Sequence, residues 1–199
     1  NVTGTLAFED IWPSGGDYDM NDVIVEYERK VYFDKKNIVT KIVDEFTPVH
    51  DGATYVNAFA YQIDAAQIGD KITLPEGAIL EKETSSIIVM SNAKQNIGNK
   101  YVVTREFNGS FLKNQLLSYN PYIIVKYSQG EQNRTEVHLP KHEATAYANQ
   151  SLIGSNDDAY YIDRKGAYPF AIDIPMLGFT PVTAVSYTHL RAHETDSYL

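Results

Sequence analysis

The stretch GGDYDMNDVIVEY, residues 15–27, places three aspartates and one asparagine within six positions. Asp17, Asp19, Asn21 and Asp22 are costly to hold together unneutralised, since neighbouring like charges disfavour the ionised form. Calcium takes about six to eight hard oxygen ligands, and acidic residues at alternate positions of an irregular loop can turn inward to supply several of them. The spacing therefore predicts a calcium site. The alternative is an aspartate-rich polar turn whose carboxylates hold backbone N–H groups.

An EF-hand does not fit this stretch. Asp17, Asp19 and Asn21 match the first half of an EF-hand loop, but Asp22 stands where that loop requires glycine. A strand-like run begins at Val23 in place of the exiting helix. The sequence therefore predicts a loop site on a β-scaffold.

Hydrophobic residues recur at every second position over most of the chain, which is typical of antiparallel strands with one buried face. The run 22–33, the turn DKKN at 34–37 and the run 38–46 together predict a hairpin. Further strands are predicted at 2–8, 54–63, 71–74, 86–90, 101–107, 122–128 and 135–139. Helical signal is confined to residues 113–118 and 144–152. These patterns predict one all-β domain, an antiparallel β-sandwich or jelly roll.

Composition limits the functional classes. The chain has 199 residues, a net charge of -9 and no cysteine, so a thiolate metal site is impossible and a nucleic-acid surface is not expected. Apolar residues make up 43% and charged residues 22%, which is ordinary for a globular domain and argues against disorder. No apolar run approaches the roughly 18 residues of a membrane span. Because the chain opens at Asn1 without a start methionine, we expect a leader upstream of this sequence.

The last segment differs from the rest. VSYTHLRAHETDSYL, residues 185–199, has no apolar periodicity and resembles the translation of a transposon-based sequencing adapter. We therefore assign residues 1–184 to the β-domain and treat residues 185–199 as a non-native tail that takes no part in the fold.

Three segments resemble the LruC-domain family, uncharacterised domains of secreted or lipid-anchored envelope proteins of Gram-negative bacteria. They are LAFEDIWPSGGDYDMNDVIVEY (6–27), RTEVHLP (134–140) and, more loosely, GSNDDAYYIDRKGAYPFAIDIP (154–175), where the family usually has a tryptophan near Phe170. Family members continue past the point where the adapter-like segment begins here, so we expect one or more C-terminal strands to be missing.

The resemblance implies an all-β extracellular module without established catalysis. It also implies a calcium loop at the F-E-D and D-x-D-x-N-D positions, which in this chain are Glu9, Asp10, Asp17, Asp19, Asn21 and Asp22.

A second acidic cluster, formed by Asn156, Asp157 and Asp158, lies far along the chain. It could complete the first site from across the sheet, form a second site or be a solvated turn. Trp12, the only tryptophan, could be a binding platform or, more often for such a residue, a core side chain beneath a loop.

Catalytic signatures are weak in this sequence. His138 and His142 have the spacing of a helical zinc pair, but Pro140 lies between them and a strand precedes them, which argues against a zinc site. Phosphate-loop, dinucleotide and nucleophile-elbow motifs are missing. We therefore predict a non-catalytic, calcium-binding module of a cell-surface or secreted lipoprotein, located outside the cell or in the outer envelope. Its expected partner is a glycan or an envelope protein. The alternative is a carbohydrate-active enzyme that uses paired carboxylates in a groove.

Overall fold

Antiparallel strands dominate the computed structural model, which describes residues 1–109, 111–115 and 117–181. These ranges contain no α-helix, and their only helical segments are 3-10 turns at Ala65–Gln67, Lys94–Asn96 and Gln150–Leu152. None of these turns is long or apolar enough to cross a membrane. The adapter-like segment 185–199 lies outside the described residues.

The strands form a six-stranded and a five-stranded sheet, ordered β11-β1-β2-β3-β8-β5 and β10-β9-β4-β7-β6. The strands, in chain order, are β1 Val2–Phe8, β2 Val23–Phe33, β3 Val39–His50, β4 Ala58–Gln62, β5 Lys71–Thr73, β6 Ile79–Glu81, β7 Ser86–Met90, β8 Tyr101–Glu106, β9 Asn120–Val125, β10 Thr135–His138 and β11 Ala171–Ile174. Every pairing between neighbouring strands is antiparallel. The prediction of an all-β sandwich is confirmed. The helical candidates at 113–118 and 144–152 were wrong as α-helices: of the described residues in these two segments, only Gln150–Leu152 form a 3-10 turn.

Aromatic side chains join the two sheets. Phe8 and Phe46 from the first sheet both contact Phe59 of β4, with ring centroids 6.4 and 5.0 Å apart. All three rings are fully buried, and burying such a side chain stabilises the fold by about 1.5–3 kcal/mol. The alternation in the sequence therefore places one face of each sheet in a shared core.

The second sheet also contains a buried ionic network. The guanidinium of Arg134 binds both carboxylate oxygens of Glu81 at 2.8 Å and donates through Nε to Glu136 at 2.8 Å. The Nε2 atom of His138 lies 2.8 Å from the other Glu136 oxygen, and its Nδ1 atom is also hydrogen-bonded. Protein groups therefore engage both ring nitrogens of His138.

Strands β1 and β2 position the acidic stretch. They are neighbours in the first sheet, and Phe8 at the end of β1 pairs with Val23 at the start of β2. The connecting residues 9–22 therefore form a loop at one end of the sandwich, with Glu9 and Asp22 at its base.

Candidate cation site

Three carboxylates converge within the β1–β2 loop. Glu9, Asp17 and Asp19 each place one oxygen within 4.8 Å of the others. Glu9 and Asp19 are buried, whereas Asp17 is exposed. Two of the three carboxylates therefore lie inside the protein, and the third, Asp17, is open to solvent.

Backbone geometry folds the loop over Glu9. The N–H of Met20 donates to Glu9 Oε1 at 2.6 Å. Tyr18 and Met20 have φ angles of 53° and 56°, which are uncommon for residues other than glycine and cost of order 1–3 kcal/mol each. Strained conformations of this kind cluster at functional sites.

The remaining predicted residues support the group from behind. Asp22 accepts a hydrogen bond from the N–H of Asp10 at 2.8 Å and thereby closes the base of the loop. The amide of Asn21 donates to Asp19 Oδ2 at 2.5 Å, so Asn21 orients that carboxylate. Asp10 is buried and accepts from the amide of Asn57 at 2.9 Å. Of the six predicted residues, the structure thus brings three into one cluster and places three around it.

Burial and mutual repulsion perturb these carboxyl groups. Burial, followed by the charge of Asp22, raises the pKa of Glu9 to about 8, although the N–H of Met20 opposes the shift. Burial, followed by the charges of Asp10, Asp19 and Asp17, raises the pKa of Asp22 to about 6, against the hydrogen bond from Asp10. Burial and then the charge of Asp17 also raise the pKa of Asp19.

The described residues place no lysine, arginine or histidine in a salt bridge with Glu9, Asp17, Asp19 or Asp22. The loop therefore gathers carboxyl groups without an internal counter-ion, and their raised pKa values reflect this. Such an all-oxygen, uncompensated donor set suits a hard divalent cation.

Sequence reasoning missed the β3–β4 loop. This loop packs against the β1–β2 loop at residues 9–22, which we call the acidic loop. The N–H of Gly52 donates to the carbonyl of Asn21 at 2.9 Å, and a Cβ atom at Gly52 would lie 2.9 Å from that oxygen, so only glycine fits there. The side chain of Asp51 is fully buried, 3.7 Å from Lys94. Burial raises the pKa of Asp51, and the charge of Asp10 adds to the shift. Only the Asp-Gly turn signal at 51–52 marks this loop in the sequence.

The second acidic cluster has a different role. Asp158 is fully buried and accepts hydrogen bonds from the indole of Trp12 at 2.8 Å and from the N–H groups of Tyr161 and Gly154 at 2.5 and 2.7 Å. Trp12 itself is buried, and the centroids of its ring and the Tyr161 ring are 4.7 Å apart. Trp12 is therefore a core side chain.

The other two members of that cluster lie at the surface of the same loop. Asp157 accepts from the N–H of Gly15 at 3.0 Å and binds Lys165 at 2.9 Å. Asn156 has a φ of 45°. Segment 154–158 therefore braces the acidic loop through hydrogen bonds to Trp12 and Gly15.

A cavity adjoins the carboxylate group. Its volume is about 280 Å³, and Asp19 contributes to its wall. The other lining residues are mainly aromatic or aliphatic: Tyr18, Met20, Tyr168, Pro169, Ile172, Phe179 and Thr180. The rings of Tyr18 and Tyr168 contact each other with centroids 5.2 Å apart. A ligand in this cavity would lie beside a cation held by Asp19.

Comparison with known proteins identifies a family without identifying an activity. The profile described as "Domain of unknown function (DUF4842)" matches residues 37–185, so the acidic loop at 9–22 precedes the match. No curated protein and no solved structure matches the chain. Since the profile covers well over half of the sequence, the chain belongs to the DUF4842 family.

Proposed function

We propose that this protein is a non-catalytic, calcium-binding β-sandwich module of a bacterial cell-surface or secreted protein. The observation that carries the proposal is the convergence of the Glu9, Asp17 and Asp19 carboxylates within 4.8 Å. The resemblance of residues 6–27 to the LruC-domain family, whose members are secreted or lipid-anchored, supports a location outside the cell or in the outer envelope.

The donor chemistry favours calcium over magnesium. Glu9 and Asp19 are held by hydrogen bonds from Met20 and Asn21, while the exposed Asp17 leaves one side of the group open to solvent. Calcium tolerates such a mixed and irregular shell, whereas magnesium demands a near-octahedral one and keeps most of its water. A bound calcium would also relieve the repulsion that raises the pKa values of Glu9 and Asp22.

The neighbouring cavity suggests how the module contacts a partner. Asp19 belongs both to the carboxylate group and to the cavity wall, and the rings of Tyr18 and Tyr168 provide apolar surface beside it. A glycan could lay its apolar face on these rings while its hydroxyl groups reach the cation. An apolar side chain of an envelope protein could fill the same space. Adhesion or assembly through this end of the sandwich is the role we propose.

A thermal melt tests the cation site. With a dissociation constant of about 0.1 mM, within the range of extracellular modules, and about 2 mM free calcium, binding stabilises the folded state by about 1.8 kcal/mol. For a domain of this size the melting temperature should rise by roughly 4–7 °C relative to protein in chelator. Asp19→Asn should remove most of this rise, whereas the matched control Glu76→Gln, at an exposed turn position, should keep it. Identical melts of the wild type with calcium and with chelator would leave the loop as a polar turn.

A polysaccharide panel tests the non-catalytic part of the proposal. No reducing sugar should be released from any member of the panel in the presence of calcium. Sugar release that Glu9→Gln abolishes, while Glu76→Gln retains it, would establish the alternative of a carbohydrate-active enzyme.

A further inference from the structure

Exposed apolar side chains cluster at the end of the β2–β3 hairpin. Tyr32, Phe33 and Leu112 are 44%, 46% and 48% exposed. Leu112 is brought to the hairpin by a β-bridge with Ile38. We call the surface formed by Tyr32, Phe33, Lys35, Lys36, Lys41, Leu112 and Lys113 the hairpin tip. Exposed apolar groups gathered in one patch mark an interaction surface more often than scattered ones do.

Four lysines surround these apolar side chains. The ammonium of Lys41 lies 4.4 Å from the ring centroid of Tyr32, and that of Lys113 lies 4.1 Å from the ring centroid of Phe33. Lys35 and Lys36 are exposed in the turn. Within the described residues, none of the four forms a salt bridge.

The tip brings together four lysines without a salt bridge. Elsewhere in the described residues, five lysines lie within 4.0 Å of a carboxylate oxygen, namely Lys30, Lys71, Lys94, Lys100 and Lys165, whereas Lys82, Lys126 and Lys141, which are far apart in the sequence, form no salt bridge. The one acidic side chain in the turn, Asp34, accepts backbone hydrogen bonds within the turn through Oδ1. A chain with a net charge of -9 thus carries a compact cationic surface at one end.

We propose that the hairpin tip docks on an anionic phospholipid bilayer. Aromatic and leucine side chains partition into the membrane–water interface, and lysines extend along apolar surface to place their charge among the headgroups. Each lysine near an anionic membrane contributes attraction equivalent to roughly a fivefold change in affinity. A soluble polyanion would explain the lysines but not the three exposed apolar side chains beside them. The proposal is independent of the cation site.

Vesicle flotation tests this docking. The full chain is mixed with vesicles of phosphatidylcholine alone or of phosphatidylcholine with phosphatidylglycerol, in chelator so that calcium cannot bridge protein and lipid. Binding is expected only to the anionic vesicles and should weaken as salt rises, because salt screens the attraction.

Two variants and one control assign the binding to the hairpin tip. The double substitution Lys35→Gln with Lys36→Gln should weaken binding roughly 25-fold, and Phe33→Ser should weaken it several-fold at unchanged charge. The matched control, Lys82→Gln with Lys141→Gln, removes two exposed lysines elsewhere and should change the affinity far less.

Three results would overturn the proposal. The first is the absence of wild-type binding to anionic vesicles, and the second is equal loss in the Lys82/Lys141 control. The third is binding to dextran sulfate that survives Phe33→Ser unchanged while vesicles are ignored, which would make the tip a soluble-polyanion site. Thermal melts of every variant confirm that a loss of binding is not a loss of fold.

Discussion

Glu136 is the residue whose replacement tests the buried ionic network most directly. Its carboxylate is fully buried and accepts four hydrogen bonds: from Arg134 Nε and Thr145 Oγ1 at one oxygen, and from His138 Nε2 and the N–H of Thr145 at the other. The distances are 2.6–2.9 Å. Burial opposes ionisation, but the hydrogen bonds from His138 and Thr145 and the charge of Arg134 outweigh it and lower the pKa of Glu136 to about 2.

Glu136→Gln keeps the shape of the side chain but replaces one acceptor oxygen with an amide that donates. Whichever oxygen is replaced, the two donors that it accepted from then face the amide NH2 group, and Arg134 keeps only Glu81 as a charged partner. The drop from 4.5 to about 2 favours the charged form by about 3 kcal/mol. Breaking one partner of a buried ion pair costs about 3–5 kcal/mol. We therefore expect the free energy of unfolding to fall by about 3 kcal/mol and the melting temperature by roughly 6–12 °C.

Urea unfolding at neutral pH measures this loss. The matched control is Glu143→Gln, an exposed glutamate near the same network, which should change stability by less than about 0.5 kcal/mol. A loss below about 1 kcal/mol for Glu136→Gln would show that the network contributes little and would refute the reasoning.

The dependence on pH has a definite sign. Because the pKa of Glu136 is depressed in the folded state, its contribution is fully present above about pH 4.5 and is lost as the pH falls toward 2. The stability difference between the wild type and Glu136→Gln should therefore be constant from pH 5 to 7 and shrink by most of its value at pH 2–3. A difference that stays constant down to pH 2 would contradict the assignment of the shift to Glu136.

Three further predictions concern the supports of the site and the network. Asp158→Asn should destabilise the protein by about 1–3 kcal/mol, because an amide oxygen kept towards Trp12 and Tyr161 leaves the N–H of Gly154 facing the amide NH2 group. The calcium-dependent rise in melting temperature should remain; loss of that rise would make Asp158 part of the cation site. Gly52→Ala should reduce both stability and calcium affinity, since its Cβ would push on the carbonyl of Asn21, and a melt unchanged with and without calcium would refute this. Nitrogen-15 spectra at pH 7 should show His138 as a neutral imidazole protonated at Nε2, because burial lowers its pKa against the hydrogen bond and charge of Glu136, which Nε2 faces; an imidazolium at pH 7 would refute this.

The alternation of apolar residues predicts most of this fold because each strand buries one face. β2 and β3 follow the predicted hairpin closely, although β3 continues to His50. β6 and β11 were missed, although the equally short β5 and β10 were predicted, and both exist through pairing with β7 and β1. Such short strands are defined by their neighbours in the sheet rather than by their own residues.

The segment 144–152 shows how tertiary contacts override helix propensity. Its alanines favour a helix, but the N–H of Arg134 donates to the carbonyl of Tyr147, and the N–H of Asn149 donates back to Arg134. Thr145 is committed to Glu136 through both its N–H and its hydroxyl. The segment is therefore held as a turn with a single parallel β-bridge between Arg134 and Ala148, followed by the 3-10 turn, which no local pattern in the sequence indicates.

The candidate site divides in the same way between local and distant residues. Asp17 and Asp19 are recognisable because they lie at alternate positions of one short loop, and Glu9 follows from a family resemblance. Asp51 and Asn57 come from a loop some thirty residues later. The hydrogen bond from Asn57 to Asp10 and the effect of the Asp10 charge on Asp51 depend on the register of β2 with β3, which places Ile24 opposite His50.

Strand β2 links the two proposed sites and keeps them apart. It begins at Val23, beside the acidic loop, and ends at Phe33 in the hairpin tip, so its eleven residues separate the two ends by about 33 Å. Charges that far apart are screened at physiological salt, and distant sites contribute independently. Asp19→Asn should therefore leave vesicle affinity in chelator unchanged, and the Lys35/Lys36 double variant should keep the full calcium-dependent rise in melting temperature. Coupling in either direction would show that the two ends share a conformational change. Independence would mean that the cation site can bind calcium whether or not the hairpin tip is bound to a bilayer.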